Sequence, residues 1–201
     1  MRAAIVCGGD FSPVLFGKCG EYDIVIAADS GCAALASMGE APDEIIGDFD
    51  SLGYVPEGAT VLPVRKDDTD LMAAAKLAVG KGADEIDIFG ALGGKRFSHS
   101  VAALQTLGFL SEKGVRAVIR DTRCTVTAVS RGSLVLPERS GGIVSVLALS
   151  GPVTVTIKGL SYTLPRQVLT PLYPVGVSNE FIGEAAEITA EDGTVIVITE
   201  P

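Results

Sequence analysis

Asp48 and Asp50, one residue apart and preceded by the apolar run Ile45-Ile46-Gly47, carry the most chemistry in their spacing of any residues in this chain. Strand side chains alternate faces, so an i, i+2 pair at a strand end aims two carboxylates into one space. Like charges that close repel unless a cation lies between them. Hard oxygen donors with few other partners suit Mg²⁺, which takes one or two carboxylates and completes its shell with water and phosphate oxygens. Asp, Ser and Gly also build turns, so the block Asp48-Phe49-Asp50-Ser51 alone fits either reading.

A second acidic stretch favours the metal. Arg65-Lys66-Asp67-Asp68-Thr69-Asp70 leads into an alanine-rich helix predicted over 69–80. Asp67 as N-cap with Asp70 three residues on approaches a capping box, and acidic groups suit a helix start. The same spacing puts Asp67 and Asp70 one turn apart on one face. Taken with Asp48 and Asp50, a carboxylate cluster around one or two Mg²⁺ explains both stretches.

A third stretch, Gly90-Ala91-Leu92-Gly93-Gly94-Lys95-Arg96-Phe97-Ser98-His99, combines a glycine-rich bend, two cations and the only histidine at the start of a helix. Backbone N–H groups at such a bend, with Lys95 and Arg96, form a phosphate cradle. The spacing is not that of a Walker A loop. Aspartates for metal beside cations for phosphate describe phosphoryl-type transfer, in which positioning and charge neutralisation dominate.

The elements that must hold these residues follow from the apolar pattern. Strands are predicted over 3–7, 23–28, 43–47, 60–64, 85–90 and 116–120, and helices over 32–39, 69–80 and 99–113. Ile- and Val-rich strands without polar alternation imply a mostly parallel sheet with helices on both faces. Its carboxyl-end loops build the binding crevice; they hold Gly8-Gly9, Asp29-Ser30-Gly31, Asp48-Asp50 and Gly90–His99. After the helical part, segments 124–129, 133–136, 143–149, 153–157, 186–190 and 194–199 read as strands, with Glu191-Asp192-Gly193 as a hairpin signal. The expected organisation is an α/β nucleotide-binding catalytic domain over 1–125 and a small all-β, sandwich- or barrel-like domain over 126–201.

Composition narrows the partners. The 201 residues are 47% hydrophobic and 20% charged, an ordinary globular balance, and the net charge of −9 argues against nucleic acid. Cys7, Cys19, Cys32 and Cys124 show neither a C-x-x-C pair nor zinc spacing, which suggests reduced thiols. The short strand at the N-terminus is too brief for a signal-peptide core or a membrane span. A cytoplasmic protein without membrane contact is expected.

In this order, the motifs resemble those of the thiamine pyrophosphokinase family. The matching elements are Ala28-Asp29-Ser30-Gly31, the block from Pro42-Asp43-Glu44-Ile45 to Ser51, Asp67 to Leu71, Gly90 to His99, and Gly176-Val177-Ser178-Asn179-Glu180-Phe181. The resemblance implies an α/β domain followed by a β domain that binds thiamine and dimerises, in a homodimer that converts thiamine and ATP to thiamine diphosphate and AMP. By the same carry-over, Asp48, Asp50 and Asp67 hold Mg²⁺, and Asp48, Asp50 and Asp70 are catalytic. Gly8, Gly9, Asp29, Thr69, Asp70, Gly93, Gly94, Lys95, Arg96 and His99 bind nucleotide, while Ser98, Ser178 and Asn179 meet thiamine. The chain departs from the family pattern at Ser30 (usually Gly), Ala34 and Ala103 (often Asn) and Ser98 (usually Asp), and Lys95-Arg96 blurs the cation's register by one. Those departures cluster at the substrate end, and they keep two alternatives in view: another hydroxymethyl acceptor such as a pterin, or a nucleotide- or thiamine-binding protein without turnover.

Overall fold

The computed structural model describes all 201 residues. Contacts divide the chain into two units, 1–106 with 115–122, and 107–114 with 123–201.

The first unit is built on six parallel strands: β1 (Arg2–Val6), β2 (Ile24–Ala28), β3 (Glu44–Gly47), β4 (Thr60–Val61), β5 (Glu85–Phe89) and β6 (Arg116–Arg120), paired in the order β6-β5-β1-β2-β3-β4. Chain order runs one way from β1 to β4 and resumes on the other side at β5. The switch therefore falls between β1 and β5, where α/β sheets open a crevice at the strands' carboxyl ends. All of Ala3–Val6 and Ile24–Ala28 is buried, so both sheet faces are covered. On one face Ala4, Val6, Val25, Ala27 and Phe89 pack with Cys32 and Leu35 of α2 (Gly31–Ser37) and with Phe16 of the short α1 (Pro13–Phe16). Helix α3 (Asp70–Gly80) lies on β1, β2 and β3 through its buried Leu71, Ala74, Ala75 and Ala78. Small alanines let that helix approach the sheet closely. Helix α4 (Phe97–Glu112) follows the glycine-rich loop. The strand expected over 60–64 shrinks to Thr60–Val61, because Pro63 has no N–H to continue the ladder.

One buried charge stands in the sheet. Asp87 of β5, 5% exposed, accepts from Arg2 Nη2 at 2.5 Å and Arg120 Nε at 2.7 Å, one arginine from each neighbouring strand. Arg2 also lies over the Tyr22 ring, 4.7 Å from its centroid. Removing the carboxylate strands two guanidinium groups, both of which still reach water. Asp87→Ala should therefore cost about 2 kcal/mol, less than a fully buried pair would. Urea unfolding at constant m-value checks this, and an unchanged midpoint would show that the triad is energetically idle.

The second unit contains β7 (Thr125–Leu136), β8 (Ser140–Ala148), β9 (Val153–Lys158), β10 (Leu164–Leu169), β11 (Asn179–Ile182) and β12 (Ala186–Glu200). β7 and β12 form one long antiparallel ribbon; β9 and β10 extend its first half, and β8 and β11 its second. Residues of both halves, among them Val155, Ile157, Ile188, Val144, Val146 and Val197, share one core. This is the sandwich-like packing expected of an all-β domain.

The hairpin expected at Glu191-Asp192-Gly193 is not there. These residues form a bulge inside β12, where the register against β7 shifts between Ala190 and Thr194. The left-handed residue of the bulge is Arg131 on the opposite strand, with φ 46°. Asp192 instead accepts hydrogen bonds from Thr154 N at 2.7 Å and Thr154 Oγ1 at 2.8 Å. The bulge bends the ribbon, so segments 124–129 and 133–136 join in one strand, as do 186–190 and 194–199. No helix in the structure is long and apolar enough to cross a membrane.

Candidate active site

Four loops leave the carboxyl ends of β1, β2, β3 and β5; main-chain hydrogen bonds tie the β1 loop to the β5 loop and the β2 loop to the end of β3. Gly9 N donates to Gly90 O at 2.7 Å, Asp10 N to Leu92 O at 3.0 Å, and Asp29 N to Ile46 O at 2.9 Å. Asp10 Oδ1 accepts from Gly94 N at 3.3 Å. Gly31 begins α2 directly against β1, where any Cβ would overlap the Val6 carbonyl. That close approach places Asp29, in the left-handed region at φ 50°, over the crevice.

Carboxylate oxygens of Asp29, Asp48 and Asp50 all lie within 4.8 Å of one another. Strand alternation does not bring the last two together, because β3 ends at Gly47 and Phe49 adopts φ 57° with its ring buried. Asp48 Oδ1 accepts from Asp50 N at 3.4 Å, closing a tight turn. The turn and the convergence of carboxylates are one feature: the buried Phe49 anchors the turn and both acids project from it. Asp29 Oδ2 accepts from Ser51 Oγ at 2.6 Å, while Asp29 Oδ1 is buried without a hydrogen-bond partner. Three hard oxygen donors, one of them an orphaned buried acceptor, form a donor set that fits Mg²⁺.

Asp67 lies outside this convergence and is exposed. The α3 N-cap is Thr69, whose Oγ1 accepts from Met72 N at 3.1 Å; Asp67 precedes the helix and shares no helix face with Asp70. Asp68 pairs with Lys76 at 2.7 Å. Asp70 opens the helix and is reached by Lys66 Nζ at 3.0 Å; the same ammonium lies 2.5 Å from Asp48 Oδ2.

Lys66 therefore joins two acidic motifs separated in sequence. Its hydrogen bond holds the Asp48 carboxyl below its ordinary range against some desolvation, and the Arg96 charge acts in the same direction. Burial raises Asp70, and Lys66 only partly counteracts it. Burial lowers Lys66 itself, but its bonds to Asp48 and Asp70 prevail and hold it above the usual ammonium value. Cys7, on the loop after β1, is pushed up to about 12 by desolvation and by the nearby Asp70 and Asp29 charges, so its thiol stays protonated. No disulfide is present, and Cys7, Cys19 and Cys32 are free thiols.

The glycine-rich loop holds Gly93 and Gly94 at φ 72° and 73°, a conformation open to glycine, and exposes Lys95, Arg96, Ser98 and His99. Of the two adjacent cations, Arg96 is the one whose charge reaches Asp48. Gly8 packs against Ser30 of the loop after β2.

In the second unit, Ser178 is exposed at φ 61° and its N–H donates to Ser145 Oγ at 3.1 Å. Asn179 is buried: its Oδ1 accepts from Tyr162 N at 2.8 Å and Glu180 N at 2.9 Å, and its Nδ2 donates to Tyr162 O at 2.6 Å. It clamps the Tyr162 main chain, a role no local sequence signal announces.

Sequence reasoning gave no role to Lys66 or Asp10. The i, i+4 spacing of Lys66 and Asp70 was a visible hint for the first. Asp29, expected at the nucleotide, stands with the metal-type pair.

Two family models match the chain: "Thiamin pyrophosphokinase, catalytic domain" over residues 19–119 and "Thiamin pyrophosphokinase, vitamin B1 binding domain" over 133–195. A thiamine pyrophosphokinase of Bacillus subtilis is 30% identical over 210 residues, covering 96% of each chain. The crystal structure of a thiamine pyrophosphokinase from Bacillus subtilis superposes with a TM-score of 0.85 at 26% identity, covering 100% of this chain and 99% of the other. That of the Candida albicans thiamin pyrophosphokinase is alike in fold, with a TM-score of 0.81 at 17% identity, covering 100% of this chain and 90% of the other.

Proposed function

Because the chain belongs to the thiamin pyrophosphokinase family, we propose that it moves the terminal two phosphates of ATP, as one unit, onto the hydroxyl of thiamine. The hydroxyl oxygen forms a bond to the β-phosphorus as the bond from that phosphorus to the α-phosphate oxygen breaks. AMP leaves with the bonding electron pair, and the hydroxyl proton is released.

The observation that carries this reading is the convergence of Asp29, Asp48 and Asp50 beside a glycine-rich, cationic loop. We assign Mg²⁺ to those three carboxylates, with Asp29 in the place the motif alone gives to Asp67. Bound there, the ion would neutralise phosphate charge and polarise the phosphorus. The chain's own groups do the rest. Main-chain N–H groups of Gly8 and Gly93 cradle phosphate oxygens, Gly9 and Gly94, whose own N–H groups hold Gly90 O and Asp10 Oδ1, let the nucleotide approach the loops closely, and Lys95, Arg96 and His99 add donors and charge. Asp70 and Thr69, fixed at the start of α3, place the reacting groups. Ser98, Ser178 and Asn179 are assigned to thiamine, with Asn179 acting through the Tyr162 main chain it holds. A homodimer in the cytoplasm completes the proposal.

The test is AMP formation from ATP with thiamine and Mg²⁺ each supplied or withheld. Release should require both. AMP formed equally without thiamine would overturn the assigned acceptor, and AMP formed equally with a chelator present would overturn the metal.

A further inference from the structure

We propose that the Lys66 ammonium permanently fills the position beside the aspartate triad that a second metal ion would otherwise take, so that the protein's carboxylates bind a single divalent cation. The inference rests on the Mg²⁺ reading above.

Asp48 belongs to two groups at once. With Asp29 and Asp50 it makes the converging triad, and with Asp70 it clasps Lys66, at 2.5 and 3.0 Å. A cation held between two carboxylates, one of them shared with a neighbouring cation site, is how two-metal phosphoryl-transfer centres are arranged, with ions about 3.5–4 Å apart. Here the second cation is tethered to the chain.

This is not a surface ion pair of helical spacing. The side chains of Lys66, Asp48 and Asp70 are only 14%, 11% and 18% exposed, and Lys66 reaches a carboxylate 18 residues upstream. Apart from this ion pair, the buried Asp70 Oδ1 has no hydrogen-bond partner. Asp29, Asp48, Asp50 and Asp70 supply four negative charges and Lys66 one positive, leaving −3. One divalent ion reduces that to −1. A second would have to evict an ammonium that is largely out of water, and an unpaired buried charge is costly. A lysine, a compact point charge with three donors, suits such a position.

The full chain is titrated with Mn²⁺ alone, and bound ion is counted from loss of the free-ion electron paramagnetic resonance signal. Wild type should saturate at one tightly bound ion. Lys66→Met should bind about twofold more, with spin coupling between neighbouring ions. Lys66→Arg should keep the wild-type count, and adding Asp70→Asn to Lys66→Met should restore it. Two coupled ions in wild type would overturn the inference while leaving the metal reading intact, even if Lys66→Met does not fold. A folded Lys66→Met that binds only one ion would also overturn it. No tight binding by wild type would overturn the metal reading, and this inference with it.

Discussion

Asp48→Asn should lower thiamine-dependent AMP formation by about 10³-fold while leaving the fold in place. Asn preserves the shape of the side chain and can still accept from Asp50 N, so the Phe49 turn survives. What disappears is a full negative charge in a site largely removed from water, where charge counts for several kcal/mol. Lys66 keeps Asp70, so no ammonium is left stranded. The concentration of Mg²⁺ needed for half-maximal rate should rise as well. Residual activity close to wild type would remove Asp48 from the mechanism.

Stability against pH provides the internal control. Lys66 depresses the folded-state pKa of Asp48 from 3.8, so the stabilisation it confers is fully present above that unfolded value. It is lost as pH falls through the lower folded value. With chelator present, wild type should therefore lose more stability than Asp48→Asn as the solution is acidified below about pH 4. Parallel acid limbs in the two proteins would mean that the Lys66–Asp48 bond contributes nothing.

Gly31→Val should cost more than about 3 kcal/mol and abolish measurable turnover. A Cβ at this position would overlap the Val6 carbonyl and crowd Cys7 N; Val6 ends a strand paired on each side, and Cys7 N is tied to Phe89 O at 2.8 Å. Backbone in a sheet cannot rotate aside, so α2 must shift outward, carrying Ser30 and Asp29 with it. The Asp29 carboxylate would then leave Asp48 and Asp50. Ala33→Val, on the exposed face of the same helix, is the comparison; it should cost only about 0.5 kcal/mol of helix propensity. Urea midpoints for the pair, with the rate of AMP formation, decide the matter. Equal midpoints would show that α2 adjusts without strain.

Much of the architecture was legible in short-range patterns. Unbroken Ile, Val and Ala runs at β1 and β2 can be satisfied only by burial on both faces, which requires a parallel sheet with helices above and below. Glycine and aspartate placed just after such runs must then lie at one edge, so the grouping of Asp29, Asp48 and the Gly93 loop followed from pattern alone. The order of motifs pointed to the family for the same reason, since each occupies the end of a strand.

What folding in three dimensions added were distances and partners between residues remote in the chain. Asp48 and Asp50 converge because Phe49 turns left-handed over a buried ring, a conformation that no alternation rule produces. Lys66 links Asp48 to Asp70, and Asp29 rather than Asp67 joins the pair; these depend on how α2 and α3 are seated against the sheet. Asp-Gly at 192–193 reads locally as a hairpin, yet β12 runs on through it, because pairing with β7 on both sides of the bulge outweighs the preference of two residues. Local composition sets which backbone shapes are cheap, whereas burial and long-range hydrogen bonding select among them.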